Sequence, residues 1–87
     1  MWMRRPVVAG RFYPGGRDEL RAFVREASRA EGPKVRAVGV VSPHAGYMYS
    51  GKVAGKVFGA VEVPDTVLLL GPNHTGYGQK AAIVSEG

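Results

Sequence analysis

Two histidines leave apolar runs of this chain by the same route. Val38-Gly39-Val40-Val41-Ser42-Pro43-His44 carries the first, and Val67-Leu68-Leu69-Leu70-Gly71-Pro72-Asn73-His74 carries the second. Imidazole binds metals and moves protons near neutral pH, so two of them at a common point would make half of a metal site. Their separation along the chain matches no compact metal motif, so convergence has to come from the fold. Both runs are nearly continuous in apolar residues, the pattern of strands covered on both faces of a parallel sheet. As parallel neighbours they would deliver both histidines to the carboxyl edge of the sheet, where open α/β sheets place ligands. Strands about 4.8 Å apart would let the imidazoles just beyond them reach one ion at roughly 2 Å. The bland alternative for each histidine is a capping or hydrogen-bonding role, which outweighs metal for either one alone, and the paired placement brings the two readings level.

Polar groups cluster around both positions. Tyr47, Tyr49 and Ser50 offer hydroxyls near His44, and Asn73 and Thr75 flank His74. Tyr47, Tyr49, Ser50 and Asn73 are the expected ligand-binding residues, and His44 and His74 the expected metal ligands. A helix starting after Ser50 would also aim unpaired N–H groups at the same edge, which suits an anion. No residue stands out as catalytic.

The elements needed to position these groups can be read along the chain. Residues 6–15 mix Val7, Val8, Phe12 and Tyr13 with Gly and Pro, which predicts an extended arm packed on the body. Residues 17–31 predict a helix with Leu20, Phe23, Val24 and Ala27 on its buried face, acids in its first turn, and Gly32-Pro33 as its stop. Residues 35–42 predict the first strand. A second helix is expected from a Ser50 cap to about Val61, with Val53, Ala54, Val57, Phe58 and Val61 as its apolar stripe. Gly51, Gly55 and Gly59 recur every four residues in it, and each costs about 1 kcal/mol against Ala inside a helix. Close backbone approach to a neighbour is the expected compensation. A turn at Val63-Pro64-Asp65 leads to the second strand, and residues 80–85 look like a third. Strand, crossover helix and strand make a right-handed βαβ unit.

The totals set limits. With 87 residues, the chain holds one small domain at most. It is 45% hydrophobic and 22% charged, which argues against disorder. The longest strongly apolar run, Val67 to Leu70, is far short of a membrane span. No apolar signal core follows the basic amino terminus, so a cytoplasmic location is the default. Without cysteine, no thiolate ligand comes from these residues, and a metal would rest on imidazole and oxygen. Arg17, Arg21, Arg25 and Arg29 form a helical stripe within a net charge of +5. A solvated face is the favoured reading, since no nucleic-acid motif accompanies it. Two helices are too few to cover both faces of such a sheet. Residues 1–87 therefore read as a single partial α/β domain with an incomplete, mostly parallel sheet, truncated or split from its remainder. Its expected partners are the missing carboxyl-terminal part of that domain, another chain, or a second copy through self-association, with neither nucleic acid nor membrane.

Three segments carry a specific resemblance. Pro6-Val7-Val8-Ala9-Gly10-Arg11-Phe12-Tyr13-Pro14, Pro43-His44-Ala45-Gly46-Tyr47-Met48-Tyr49-Ser50-Gly51 and Leu70-Gly71-Pro72-Asn73-His74 resemble, in order, the amino-terminal motifs of the Memo family. The likeness covers nearly the whole chain. Memo proteins in turn resemble the class III extradiol dioxygenases, whose non-haem iron sits at the carboxyl edge of an α/β sheet. The resemblance implies an extradiol-dioxygenase-like fold, with His44 and His74 at two metal-ligand positions. It also implies a third ligand, commonly cysteine, from beyond these residues, because family members are considerably longer.

Three functions remain open on these grounds. The intact protein is expected to be a non-haem metal oxidoreductase or dioxygenase-like enzyme, with iron or copper favoured as cofactor and zinc as another divalent choice. The alternative is a non-catalytic module that binds an anionic or phosphorylated ligand in the same pocket. The third is an inactive fragment, the expectation for the 87 residues alone.

Overall fold

The computed structural model describes residues 5–83. Its framework is two crossed helices with an amino-terminal arm laid against them. The first, α1, spans Arg17–Ala27, with Gly16 at its N-cap and Asp18 and Glu19 in its first turn. The helix stops four residues before the expected Glu31. Ser28 leaves helical geometry, and its hydroxyl donates to the Val24 carbonyl at 2.6 Å. A serine that bonds the carbonyl four residues back competes with helix propagation, and the following Gly32-Pro33 gives the chain no reason to resume.

The second helix begins earlier than expected. A wide π-helical turn, Tyr47–Gly51, runs directly into α2, Lys52–Gly59. Ser50 is therefore inside the helical segment rather than its cap. Its hydroxyl donates to the Ala45 carbonyl at 3.1 Å, five residues back, and closes the wide turn. At the other end α2 stops at Gly59 instead of continuing to Val61. The Ala60 carbonyl accepts from Val35 N–H at 3.0 Å, and Glu62 N–H donates to the Val35 carbonyl at 2.9 Å. Those bonds form a parallel bridge between Val35 and Val61, flanked by an Arg36–Glu62 ion pair at 4.0 Å.

The glycine stripe of α2 lies where the two helices cross. A Cβ on Gly55 would strike the carbonyl of Ala27, and one on Gly59 would lie 2.5 Å from the carbonyl of Ser28. On Gly51 it would sit 2.8 Å from the ring of Phe23. Gly51 and Gly59 are the only fully buried residues among those described. The backbone of α2 thus rests on the last turn of α1, and only glycine permits that distance.

The expected strands take a different form. Among the described residues, 35–42 make one bridge, from Val35 to Val61, residues 67–70 make none, and no ladder forms. Residues 80–83 form no strand, and Val84 and Ser85 lie outside the described residues. Val38, Val41, Leu68, Leu69 and Leu70 are all strongly exposed, and no apolar side chain among the described residues is fully buried. A strand with neither cover nor a second neighbour lacks the burial that offsets the entropy of ordering it. No helix among the described residues is long and apolar enough to cross a membrane.

Candidate functional site

The two histidine rings meet. Their centroids are 5.1 Å apart, with the planes inclined by 42°. The rings come together although, among the described residues, no β-bridge joins residues 38–44 to residues 67–74.

The loop of His44 is anchored from several directions. Tyr47 N–H donates to the Phe12 carbonyl of the arm at 2.7 Å. The Tyr47 ring sits between Tyr13, at 5.7 Å, and Phe23 of α1, at 5.3 Å. Such tilted aromatic pairs are favourable beyond the area they bury. The backbone N–H groups of Tyr49 and Ser50 both donate to the Gly46 carbonyl. His44 lies on the rim of an open groove of about 590 Å³ between the arm and the two helices, lined by Val8, Phe12, Phe23 and Phe58 among others.

That arrangement bears on the anion reading. Of the N–H groups at the start of the second helix, those of Tyr47, Tyr49 and Ser50 already have protein acceptors. Tyr47 is packed among aromatics, and the Ser50 hydroxyl is directed at Ala45. Tyr49 is 83% exposed and stands away from the groove-lining residues. Of the hydroxyls expected near His44, Tyr47 and Ser50 share the groove with it, and Tyr49 does not.

The loop of His74 is held differently. Asn73 directs its amide into its own loop rather than outward. Its Oδ1 accepts from Thr75 N–H at 3.1 Å, Thr75 Oγ1 at 3.2 Å and Gly76 N–H at 3.0 Å. Its Nδ2 donates to the Tyr77 carbonyl at 2.8 Å. Gly76, which closes this turn, has φ +73°, a conformation glycine adopts at no Cβ cost.

Among the described residues, no group of three His, Cys, Asp or Glu side chains comes together. The structure also shows a contribution that the motif pattern alone did not assign to the site. Phe12 and Tyr13, in the arm, brace the loop of His44, and the only sequence signal for this was an aromatic pair set between Gly10 and Pro14.

Comparison with known proteins identifies the family. The model of the Memo-like protein family matches residues 4–87. A MEMO1 family protein of Aquifex aeolicus is 43% identical over 86 residues, covering 98% of this chain and 32% of its own length. Relatives of the same description from Methanosarcina acetivorans and Archaeoglobus fulgidus are 47% and 44% identical, covering 99% and 97% of this chain. The chain belongs to the Memo family. It spans about a third of the length of these relatives. No solved structure matches it.

Proposed function

We propose that His44 and His74 are two ligands of a single metal ion, iron or copper, in a Memo-like α/β domain with redox or dioxygenase-like activity. The single observation carrying this reading is the 5.1 Å separation of the two ring centres. Two imidazoles bound to one ion at about 2.1 Å, with an angle near 100–110° between them, have their centres roughly 5 Å apart. An imidazole pair also suits the borderline metals of oxygen chemistry, which use two histidines and one further ligand and leave positions open for small molecules. The chain's own part is to hold two imidazole rings at that spacing, with the arm and α1 bracing one and the Asn73 turn bracing the other. A third ligand comes from outside these residues, and the sheet that both apolar runs enter is completed there too. The anion-binding alternative is weakened by the occupied N–H groups of the helix start.

With two protein ligands instead of the usual three, binding by the 87-residue chain is weak and depends on both rings. Titration with Fe(II), Cu(II) and Zn(II), followed by metal analysis after dialysis, tests this. His44→Ala and His74→Ala are each expected to remove the binding. Tight stoichiometric uptake that survives the double substitution would place the metal elsewhere.

A further inference from the structure

The segment that carries His74 has almost nothing else to hold it. Among the described residues, 63–83 make no backbone–backbone hydrogen bond and no ion pair. The flanking Leu68, Leu69, Leu70 and Tyr77 are all more than 80% exposed, so side-chain packing does not fix the segment either. The side-chain hydrogen bonds of this stretch number five, and all involve Asn73 or Thr75. Four of the five end on the Asn73 amide, using both its acceptor and its donor. Only an amide does this: a carboxylate has no donor for the Tyr77 carbonyl, and alanine has neither group.

We infer that Asn73 is the positioning residue of the site, whose side chain builds the turn that holds the His74 ring against His44. The inference deepens the metal-site reading and rests on it for its functional meaning, while its geometric content stands apart. Groups that orient a metal ligand without touching the ion are costly to remove, with effects of about 10–100-fold on metal affinity. Asn73 acts one step earlier than a partner bonded to the ring, since it sets the backbone from which the ring projects.

The experiment uses the whole chain and two readouts. In the metal-free protein, a nuclear Overhauser effect between the imidazole protons of His44 and His74 reports ring proximity. With Cu(II) bound, pulsed electron paramagnetic resonance counts the coordinated imidazoles. Asn73→Ala is expected to abolish the inter-ring Overhauser effect, reduce two imidazoles to one, and weaken Cu(II) binding by about 10–100-fold. Its far-ultraviolet circular dichroism should match wild type, because α1 and α2 make no hydrogen bond to this loop. Asn73→Asp keeps the acceptor but sets an oxygen against the Tyr77 carbonyl, so its inter-ring effect should be weaker but still present. Thr75→Ala leaves the Asn73 bonds to Thr75 N–H, Gly76 N–H and the Tyr77 carbonyl in place and should retain the full inter-ring effect. Asn73→Ala with that effect intact would overturn the inference, as would a wild-type protein without it. A wild type that shows ring proximity but takes up no Cu(II) would sink the metal reading alone, and the response of the ring pair to Asn73→Ala would still decide the role of Asn73.

Discussion

The loops of the two histidines solve one problem in opposite ways. That of His44 is fixed by groups distant in sequence: a hydrogen bond from Tyr47 to Phe12, and aromatic packing of Tyr47 on Tyr13 and Phe23. That of His74 is fixed by a neighbour, the Asn73 amide, with no support from the helices. A tertiary anchor fails when any of its parts moves, whereas a local turn persists as long as its own few residues do. The site therefore joins a ring that depends on the helical framework to one that depends on a single side chain. Disturbing the framework should move His44 and spare the His74 turn.

The largest such disturbance is at the helix crossing. Gly55→Val would drive a branched side chain into the Ala27 carbonyl, and overpacking of this kind costs about 1–3 kcal/mol or more. Thermal unfolding followed by helical circular dichroism should show a clear drop in midpoint, and the Overhauser effect between the two imidazoles should vanish. An unchanged midpoint would mean that α2 does not rest on α1 as closely as described. A smaller effect is expected from Tyr47→Ala, which removes two aromatic pairs worth about 0.5–1.5 kcal/mol each beyond buried area. It should broaden the His44 ring resonances and leave those of Thr75 and Gly76 unmoved. Equal changes in both loops would refute their independence. The smallest effect is that of Ser50→Ala, which removes the hydroxyl closing the wide turn onto Ala45. Removing one such bond costs roughly 0.5–1.5 kcal/mol, read as a slight fall in midpoint. A fall as large as that of Gly55→Val would show that the π turn, and not the glycine crossing, is the main brace.

Much of this architecture was legible in the residues. The repeated run through proline into histidine pointed to convergence, and the rings lie 5.1 Å apart. The four-residue glycine spacing pointed to close helix approach, and the α1–α2 crossing supplies it. The start of α1 followed from its acids and apolar spacing. Other features were not legible. Asn73 reads as a ligand-binding residue until the loop is traced, because nothing in its identity says whether an amide meets a ligand or its own backbone. The early end of α1 turns on Ser28, whose hydroxyl joins its own N–H on the Val24 carbonyl, a local bond that the residue type alone does not announce.

By itself, the sequence determined which segments are helical, where the glycines must admit a neighbour, which two imidazoles are offered as a pair, and the family to which the chain belongs. These follow from local periodicity, backbone freedom and side-chain chemistry. Only the tertiary structure decided that Val35 pairs with Val61, that the arm braces the His44 loop through Phe12 and Tyr13, and that the Ala60 carbonyl just past α2 is taken by the Val35 N–H. Each of these is a choice among partners far apart in the chain. It is settled by which contacts can be made together in space, and no single stretch of residues encodes that.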